Sequence, residues 1–144
     1  MVDFHGAGQS EGREKHSNPV RDYVDDLEAL CMLARKEYND TPVFLLTKGF
    51  SGLVATYYLF KKKSQEISGI IAMEPFSEDV LKNIKLSFLL KVTGFIFQRI
   101  PLIAFDDKRI SYRLYRGFRK AHREMMQSGF SAAIPVLSLR SHCE

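Results

Sequence analysis

Residues 42–55 read PVFLLTKGFSGLVA, which combines a short apolar run, a turn of small residues and the start of a helix. The run from Val43 to Leu46 is uninterrupted, as is typical of a strand buried on both faces of a parallel sheet. The turn from Thr47 to Gly52 contains glycine and serine. We expect a helix to follow from Leu53 to about Lys63. Such a strand–turn–helix unit indicates an α/β protein.

The flanking sequence continues this alternation of strands and helices. Apolar residues between Val20 and Ala34 recur at helical spacing, and Asn18 and Pro19 suit the N-cap and first turn of that helix. Further short apolar segments predict strands, at Ile67–Met73 and Ile134–Leu139, with the stub of another at Val2–Phe4. Strands that alternate with helices favour a parallel sheet.

Composition sets the broad class of the protein. The chain has 144 residues, of which 45% are hydrophobic and 26% charged, so we expect a globular chain and exclude collagen-like and disordered classes. A net charge of +4 is too small to indicate nucleic-acid binding. Cys31 and Cys143 make no disulfide framework, and no His or Cys spacing fits a metal site or cofactor. The most apolar stretch, Leu86–Phe97, contains Lys91 and is too short to span a bilayer, and residues 1–12 resemble no secretory signal, so we expect a cytoplasmic protein.

Three sequence blocks together resemble the α/β-hydrolase superfamily, and within it the serine aminopeptidase (S33) and monoglyceride-lipase or lysophospholipase-like group. Residues 3–12, DFHGAGQSEG, are similar to the group's D-x-R-G-x-G-x-S-x-G turn after the fourth strand, with His5 where Arg is usual. Residues 42–55 resemble strand five, the nucleophile elbow and the following helix, and residues 67–75 resemble strand six. The resemblance implies a partial α/β-hydrolase fold, with a parallel sheet equivalent to strands four to seven and a helical cap insertion.

This resemblance also divides the chain. Residues 1–75 correspond to the core with the elbow, residues 76–130 to a helical cap insertion, and residues 131–144 to the final strand and a truncated acid loop. The triad acid position falls on His142 or Glu144, depending on register. The oxyanion loop and the catalytic histidine of the family have no counterpart, so we expect a truncated member. His5, His16 and His122 match no base position either.

The elbow itself lacks a nucleophile. The family pattern is G-x-S-x-G, and the aligned residues are Thr47, Lys48, Gly49, Phe50 and Ser51. Gly49 occupies the serine position and has no side chain that could form an acyl ester. A shift that makes Ser51 the nucleophile would put Leu53 where the tight turn needs a small residue. Glycine also tolerates the positive φ that an elbow requires. Lys48, next to it, is either a solvated or a catalytic lysine. The backbone N–H of Phe50 could serve as one oxyanion donor.

The function implied by the resemblance is hydrolysis of carboxylic esters with lipid-like or small acyl groups. The chain is expected to be inactive. It would then be a non-catalytic protein that binds an acyl ligand or a partner protein, or a gene fragment without function. Two patterns in the insertion each allow more than one interpretation. Leu86–Phe97 suits an acyl pocket, a membrane-facing patch or a helix–helix core. Five basic residues share one helix face, which is either solvated or faces anionic lipid headgroups: Arg109, Arg113, Arg116, Lys120 and Arg123.

Overall fold

The structure, a computed structural model, describes residues 3–4, 9–11, 20–62, 66–73, 92, 96–97, 101–105 and 108–139. The sequence-derived sites at His5, His16, His142, Cys143 and Glu144 lie outside these residues, as does most of Leu86–Phe97. The described residues form three helices and five strands in the following order: α1 (Arg21–Glu37), β1 (Phe44–Lys48), α2 (Phe50–Lys62), β2 (Gly69–Met73), β3 (Pro101–Phe105), β4 (Lys108–Ser111), α3 (Tyr112–Gln127) and β5 (Val136–Leu139).

Three of the strands form the predicted parallel sheet, in the order β1-β2-β5. Phe44 pairs with Gly69 and Lys48 with Met73, while Ile70 pairs with Val136. The predicted strands are therefore confirmed, with bounds that differ by one or two residues from the apolar runs. Their parallel order confirms the α/β class and is consistent with a partial α/β-hydrolase fold.

The hydrophobic core lies on one face of this sheet. Ile70 and Ala72 of β2 and Thr47 of β1 are buried on that face. These side chains form one core with the buried sides of the three helices. Helix α2 packs on β1 and β2, and it also contacts α1 and α3. Helix α2 is thus the central element, in contact with the sheet and with both other helices.

The opposite face of the sheet is exposed, so the expectation of a strand buried on both faces is wrong for β1. Leu46 of β1 is 69% exposed, and its in-register neighbours extend the same face, with Leu137 55% exposed. The physical reason is that the helices of the described chain join a single core on the first face. The apolar sequence of the strands predicts burial, but it does not tell whether a second layer of helices covers the other face of the sheet.

Two local predictions at the N-terminal side are also corrected. Helix α1 begins at Arg21, and Val20 rather than Asn18 takes the N-cap position, with φ +47° and no side-chain cap. Val20 is instead 2% exposed and its carbonyl accepts from the Val24 N–H at 2.9 Å, so burial of an apolar side chain outweighs capping here. Asp3 and Phe4 lie outside the sheet. No strand among the described residues pairs with the outer edge of β1, so the predicted strand stub is not confirmed at Asp3 and Phe4.

The predicted helical cap contains a hairpin as well as a helix. Strands β3 and β4 pair antiparallel, and α3 follows β4 directly. Ser111 joins the two elements because its fully buried hydroxyl oxygen accepts from the Leu114 N–H at 3.2 Å and caps α3. The helical spacing of residues 110–126 predicted α3, but Arg109 and Ile110 lie in β4, so the expectation that Arg109 shares the basic face of the helix is wrong. The hairpin was not predicted, because Asp106 and Asp107 between its strands are not the glycine-containing pair typical of a tight hairpin turn.

Candidate functional site: a strand–turn–helix elbow without a nucleophile

The turn between β1 and α2 has the geometry of a nucleophile elbow. A single residue, Gly49, separates the end of β1 at Lys48 from the start of α2 at Phe50, three residues earlier than the predicted helix start. Gly49 has φ +55°, a left-handed conformation that is unfavourable for every residue with a Cβ. Its N–H donates to the Met73 carbonyl at 3.0 Å, which continues the β1–β2 ladder into the turn. The residue at the serine position of the family pattern therefore lies at the tight turn between β1 and α2.

Small residues on either side allow this turn to close. A Cβ added at Gly52 would lie 3.4 Å from Thr47 Oγ1, so the first turn of α2 passes close to the end of β1. Thr47 is itself buried, and its hydroxyl donates to the Ile71 carbonyl at 3.4 Å. Gly52 N–H donates to the Gly49 carbonyl at 3.1 Å and fixes the start of the helix. Thr47 and Gly52 are thus neighbours across the elbow, at a distance that would accept a methyl group at position 52.

Ser51 carries the hydroxyl nearest in sequence to the empty nucleophile position, and the backbone of the turn engages it. The Lys48 N–H donates to Ser51 Oγ at 3.0 Å, and the Ser51 hydroxyl donates to the Lys48 carbonyl at 3.0 Å. Both hydrogen bonds tie the first turn of α2 to the last residue of β1. In this arrangement Ser51 is a structural part of the elbow, and its proton goes to a backbone carbonyl rather than to a base.

Three further side chains have catalytic potential. Lys48 presents an exposed side chain at the end of β1, outside the core. Cys31 on α1 is 1% exposed, and burial raises the pKa of its thiol to about 11 despite a hydrogen bond with Tyr58. A thiol with that pKa holds its proton at neutral pH and is a poor nucleophile. His122 on α3 is the one histidine within the described ranges, and no hydrogen bond joins it to Ser51.

The side chain that follows Gly49 packs inward. The Phe50 ring stacks edge-on against Tyr23 of α1 at 5.4 Å and lies 4.4 Å from the ring of Phe118 on α3. Phe4 extends the cluster through Tyr23 at 5.2 Å. Aromatic pairs at such distances stabilise a packing arrangement by about 0.5–1.5 kcal/mol each beyond burial. This cluster was not predicted from the sequence, although Phe118 lies on the apolar stripe whose helical spacing predicted α3.

The space beneath the elbow is thus occupied by four aromatic rings, and Phe118 brings α3 directly against it. The described residues of the N-terminal block contact one another. Asp3 Oδ2 accepts from the Gln9 N–H at 3.1 Å, and the Ser10 hydroxyl donates to the Asp3 carbonyl at 2.7 Å. Asp3 and Ser10, the aspartate and serine of the D-x-R-G-x-G-x-S-x-G-like block, are therefore joined by a hydrogen bond, and Phe4 next to Asp3 contacts the aromatic cluster.

The described residues also bear on metal binding and on membrane insertion. Within them, no three His, Cys, Asp or Glu side chains converge as a metal site would require. None of the described helices has the length and apolarity needed to cross a membrane. In the apolar segment of the insertion, Ile96 and Phe97 are 66% and 51% exposed, so these two side chains are not part of a core.

Comparison with known proteins agrees with this geometry. Residues 1–129 match the family described as serine aminopeptidase, S33. A stretch of 75 residues is 33% identical to phospholipase YtpA of Bacillus subtilis (strain 168), and it covers 52% of this chain and 28% of the phospholipase. The matched stretch thus covers less than a third of this relative, and the chain is about half as long as the relative. With strand, elbow and helix in the order of an α/β-hydrolase and a family match over most of its length, the chain belongs to the serine aminopeptidase (S33) family.

Proposed function

We propose that this chain is a non-catalytic α/β-hydrolase of lipase type, which recognises a lipid-like acyl ligand without cleaving it. The observation that carries the proposal is Gly49 at the nucleophile position with φ +55°. Covalent ester hydrolysis needs an attacking hydroxyl or thiol at this position, activated by an adjacent base. A hydrogen atom cannot take that role.

The second support is the state of the nearest alternative nucleophile. Both hydrogen bonds of Ser51 go to the Lys48 backbone, at 3.0 Å each. To attack an ester, Ser51 would need to release the Lys48 carbonyl and loosen the first turn of α2. The lipid-like ligand is supported by the family and by the relative, a phospholipase that is 33% identical over the matched stretch.

Active-site labelling tests the loss of chemistry. A fluorophosphonate probe reacts with activated serines, so the native chain should remain unlabelled under conditions that fully label an active serine hydrolase. Ser51→Ala is the matched variant, and it should behave like the native chain. Labelling of the native chain that disappears in Ser51→Ala would overturn the proposal, because Ser51 would then be a working nucleophile.

The Gly49→Ser variant separates the missing side chain from missing partners. A Cβ at Gly49 meets no heavy atom within 4 Å, so a serine fits sterically at this position. We expect this variant to hydrolyse p-nitrophenyl butyrate no faster than the native chain, because no described histidine hydrogen-bonds at the elbow to act as the base. Esterase activity in Gly49→Ser would mean that a catalytic base is present at the elbow, and it would contradict the expected loss of that base.

Ligand recognition is measured separately, by titrating a monoacylglycerol or a lysophospholipid into the protein in a calorimeter. The proposal expects saturable binding and recovery of the intact ester afterwards. Release of free fatty acid would refute the non-catalytic part of the proposal. An absence of binding heat together with an absence of retention in equilibrium dialysis would refute the ligand.

A further inference from the structure

The outer face of helix α3 carries a dense row of positive charge. Five basic side chains project from it within three helical turns: Arg113, Arg116, Arg119, Lys120 and Arg123. All except Arg113 are exposed. At about 1.5 Å of rise per residue the row extends over about 15 Å. That length is too great for one phosphate group and matches an array of anions.

These charges are not arranged to stabilise the helix that bears them. Helix α1 has Asp22 in its first turn and Arg35 and Lys36 in its last, as the helix dipole favours. Helix α3 has no acidic residue in its first turn and no basic residue in its last. Its basic residues also follow one another at spacings of three and four, where like charges repel. An arrangement that costs helix stability indicates a partner that compensates for it.

The positive charge stays largely unneutralised within the described part of the chain. Glu124 is the acidic residue of α3, and it pairs with Lys61 of α2 at 2.8 Å as well as with Lys120 at 3.8 Å. Arg116 and Arg123 form no ion pair with any described acidic residue. Their guanidinium groups are therefore available to an external anion.

The shape and the aromatic residues of this surface define the anion further. A groove of about 630 Å³ runs along α3 between Tyr112 and Glu124. Arg119 lies over the ring of Tyr115 at 5.9 Å, but Tyr115 is only 4% exposed and offers no face on which a nucleic-acid base could stack. The exposed apolar side chain beside the basic row is Met126, at 66%. Cations flanked by an apolar side chain suit the interface of a bilayer.

We propose that the outer face of α3 binds the phosphate groups of an anionic phospholipid surface. The binding is electrostatic and reversible, and it positions α3, and the elbow against which Phe118 packs, next to the membrane. The proposal rests on the charges of α3 alone and does not depend on whether the elbow is catalytic.

Vesicle co-sedimentation of the full chain tests this surface. We expect binding to vesicles that contain about one third phosphatidylglycerol, no binding to pure phosphatidylcholine, and loss of binding as the salt concentration rises from about 0.1 M to about 0.5 M, because the Debye length shortens. Each basic residue near an anionic surface contributes about a fivefold change in partitioning. The double variant Arg116→Gln/Arg123→Gln should therefore bind about 25-fold more weakly.

The control is Arg21→Gln/Lys36→Gln on α1, which removes the same net charge from two exposed positions. It should bind within about twofold of the native chain if the site is on α3. The α3 variant should keep the helical circular-dichroism signal and at least the native melting temperature, because it relieves like-charge repulsion.

Three results would overturn the proposal. Equal losses in the α1 and α3 variants would mean that only the net charge matters. Displacement from vesicles by inorganic phosphate, but not by chloride at equal ionic strength, would mean a site for a free phosphate. Tighter binding to a short DNA duplex than to anionic vesicles would identify a nucleic acid as the ligand instead.

Discussion

Replacing Gly49 by alanine tests directly whether the elbow depends on a glycine backbone. An L-residue in the left-handed region costs about 1–2 kcal/mol, and Gly49 has φ +55°. The added Cβ meets no heavy atom within 4 Å, so no steric term is added. Alanine also restricts the unfolded chain, which returns about 0.4–1 kcal/mol. We therefore expect Gly49→Ala to lower the free energy of unfolding by about 1 kcal/mol and the melting temperature by about 3 °C.

Urea denaturation followed by circular dichroism measures this change, and two other glycines calibrate it. Gly129 has φ +60° and equally open space, so Gly129→Ala should lose a similar amount. Gly52 lies inside α2, where alanine is favoured over glycine by up to about 1 kcal/mol, and its Cβ would approach Thr47 Oγ1 at an acceptable 3.4 Å. Gly52→Ala should therefore be neutral or stabilising.

The pattern of signs decides the outcome. Gly49→Ala and Gly129→Ala should both be destabilised, and Gly52→Ala should not be. If Gly49→Ala were as stable as the native chain while Gly129→Ala lost stability, the turn at Gly49 would not be a left-handed elbow. The assignment of Gly49 to the nucleophile position would then lose its structural basis.

Three further predictions concern α3 and the core. Ser111→Ala should cost about 1–2 kcal/mol in urea denaturation because the buried cap of α3 is lost, whereas Ser128→Ala at the exposed end of that helix should cost less than half as much. Since burial raises the pKa of Cys31 to about 11, iodoacetamide should alkylate this thiol only after unfolding, as followed by peptide mass spectrometry, and fast alkylation of the native chain would contradict its burial. The hydrogen bond from Lys61 lowers the pKa of Glu124, so this pair stabilises the fold above the carboxyl's unfolded pKa and loses that effect as the pH falls through its folded pKa. Glu124→Gln should therefore be less stable than the native chain by about 0.5–1 kcal/mol at neutral pH and equal to it near pH 3, and a gap that stays constant with pH would refute the pairing.

The elements around the elbow could be predicted because their signals are local. An apolar run followed by a glycine turn and a helical pattern lies within residues 42–55, and the structure has β1, Gly49 and α2 there. The start of α2 was placed three residues late because Phe50 and Ser51 resemble turn sequence. Their helical conformation depends on the two hydrogen bonds of the Ser51 hydroxyl, which the sequence alone does not reveal.

Features that depend on distant partners could not be predicted in the same way. The apolar residues of β1 indicate burial on both sides, but which side receives helices depends on how α1 and α3 pack on α2. Leu46 is consequently 69% exposed while Thr47, its polar neighbour, is buried. The aromatic cluster of Phe50, Tyr23 and Phe118 joins three helices that are far apart in sequence. Periodicity places each ring on an apolar face but does not say which faces meet.

The sharp turn at Gly49 has an architectural role that does not depend on a catalytic side chain. Helix α2 is the element that contacts the sheet, α1 and α3, and its direction is set by the turn at Gly49. Any residue other than glycine in that turn would cost stability, so glycine at this position relieves backbone strain. Two elbow residues hold the turn together: Thr47 by its hydrogen bond to the Ile71 carbonyl, and Ser51 by its hydrogen bonds to Lys48. Because these contacts orient α2, the turn keeps its geometry without a nucleophilic side chain at position 49.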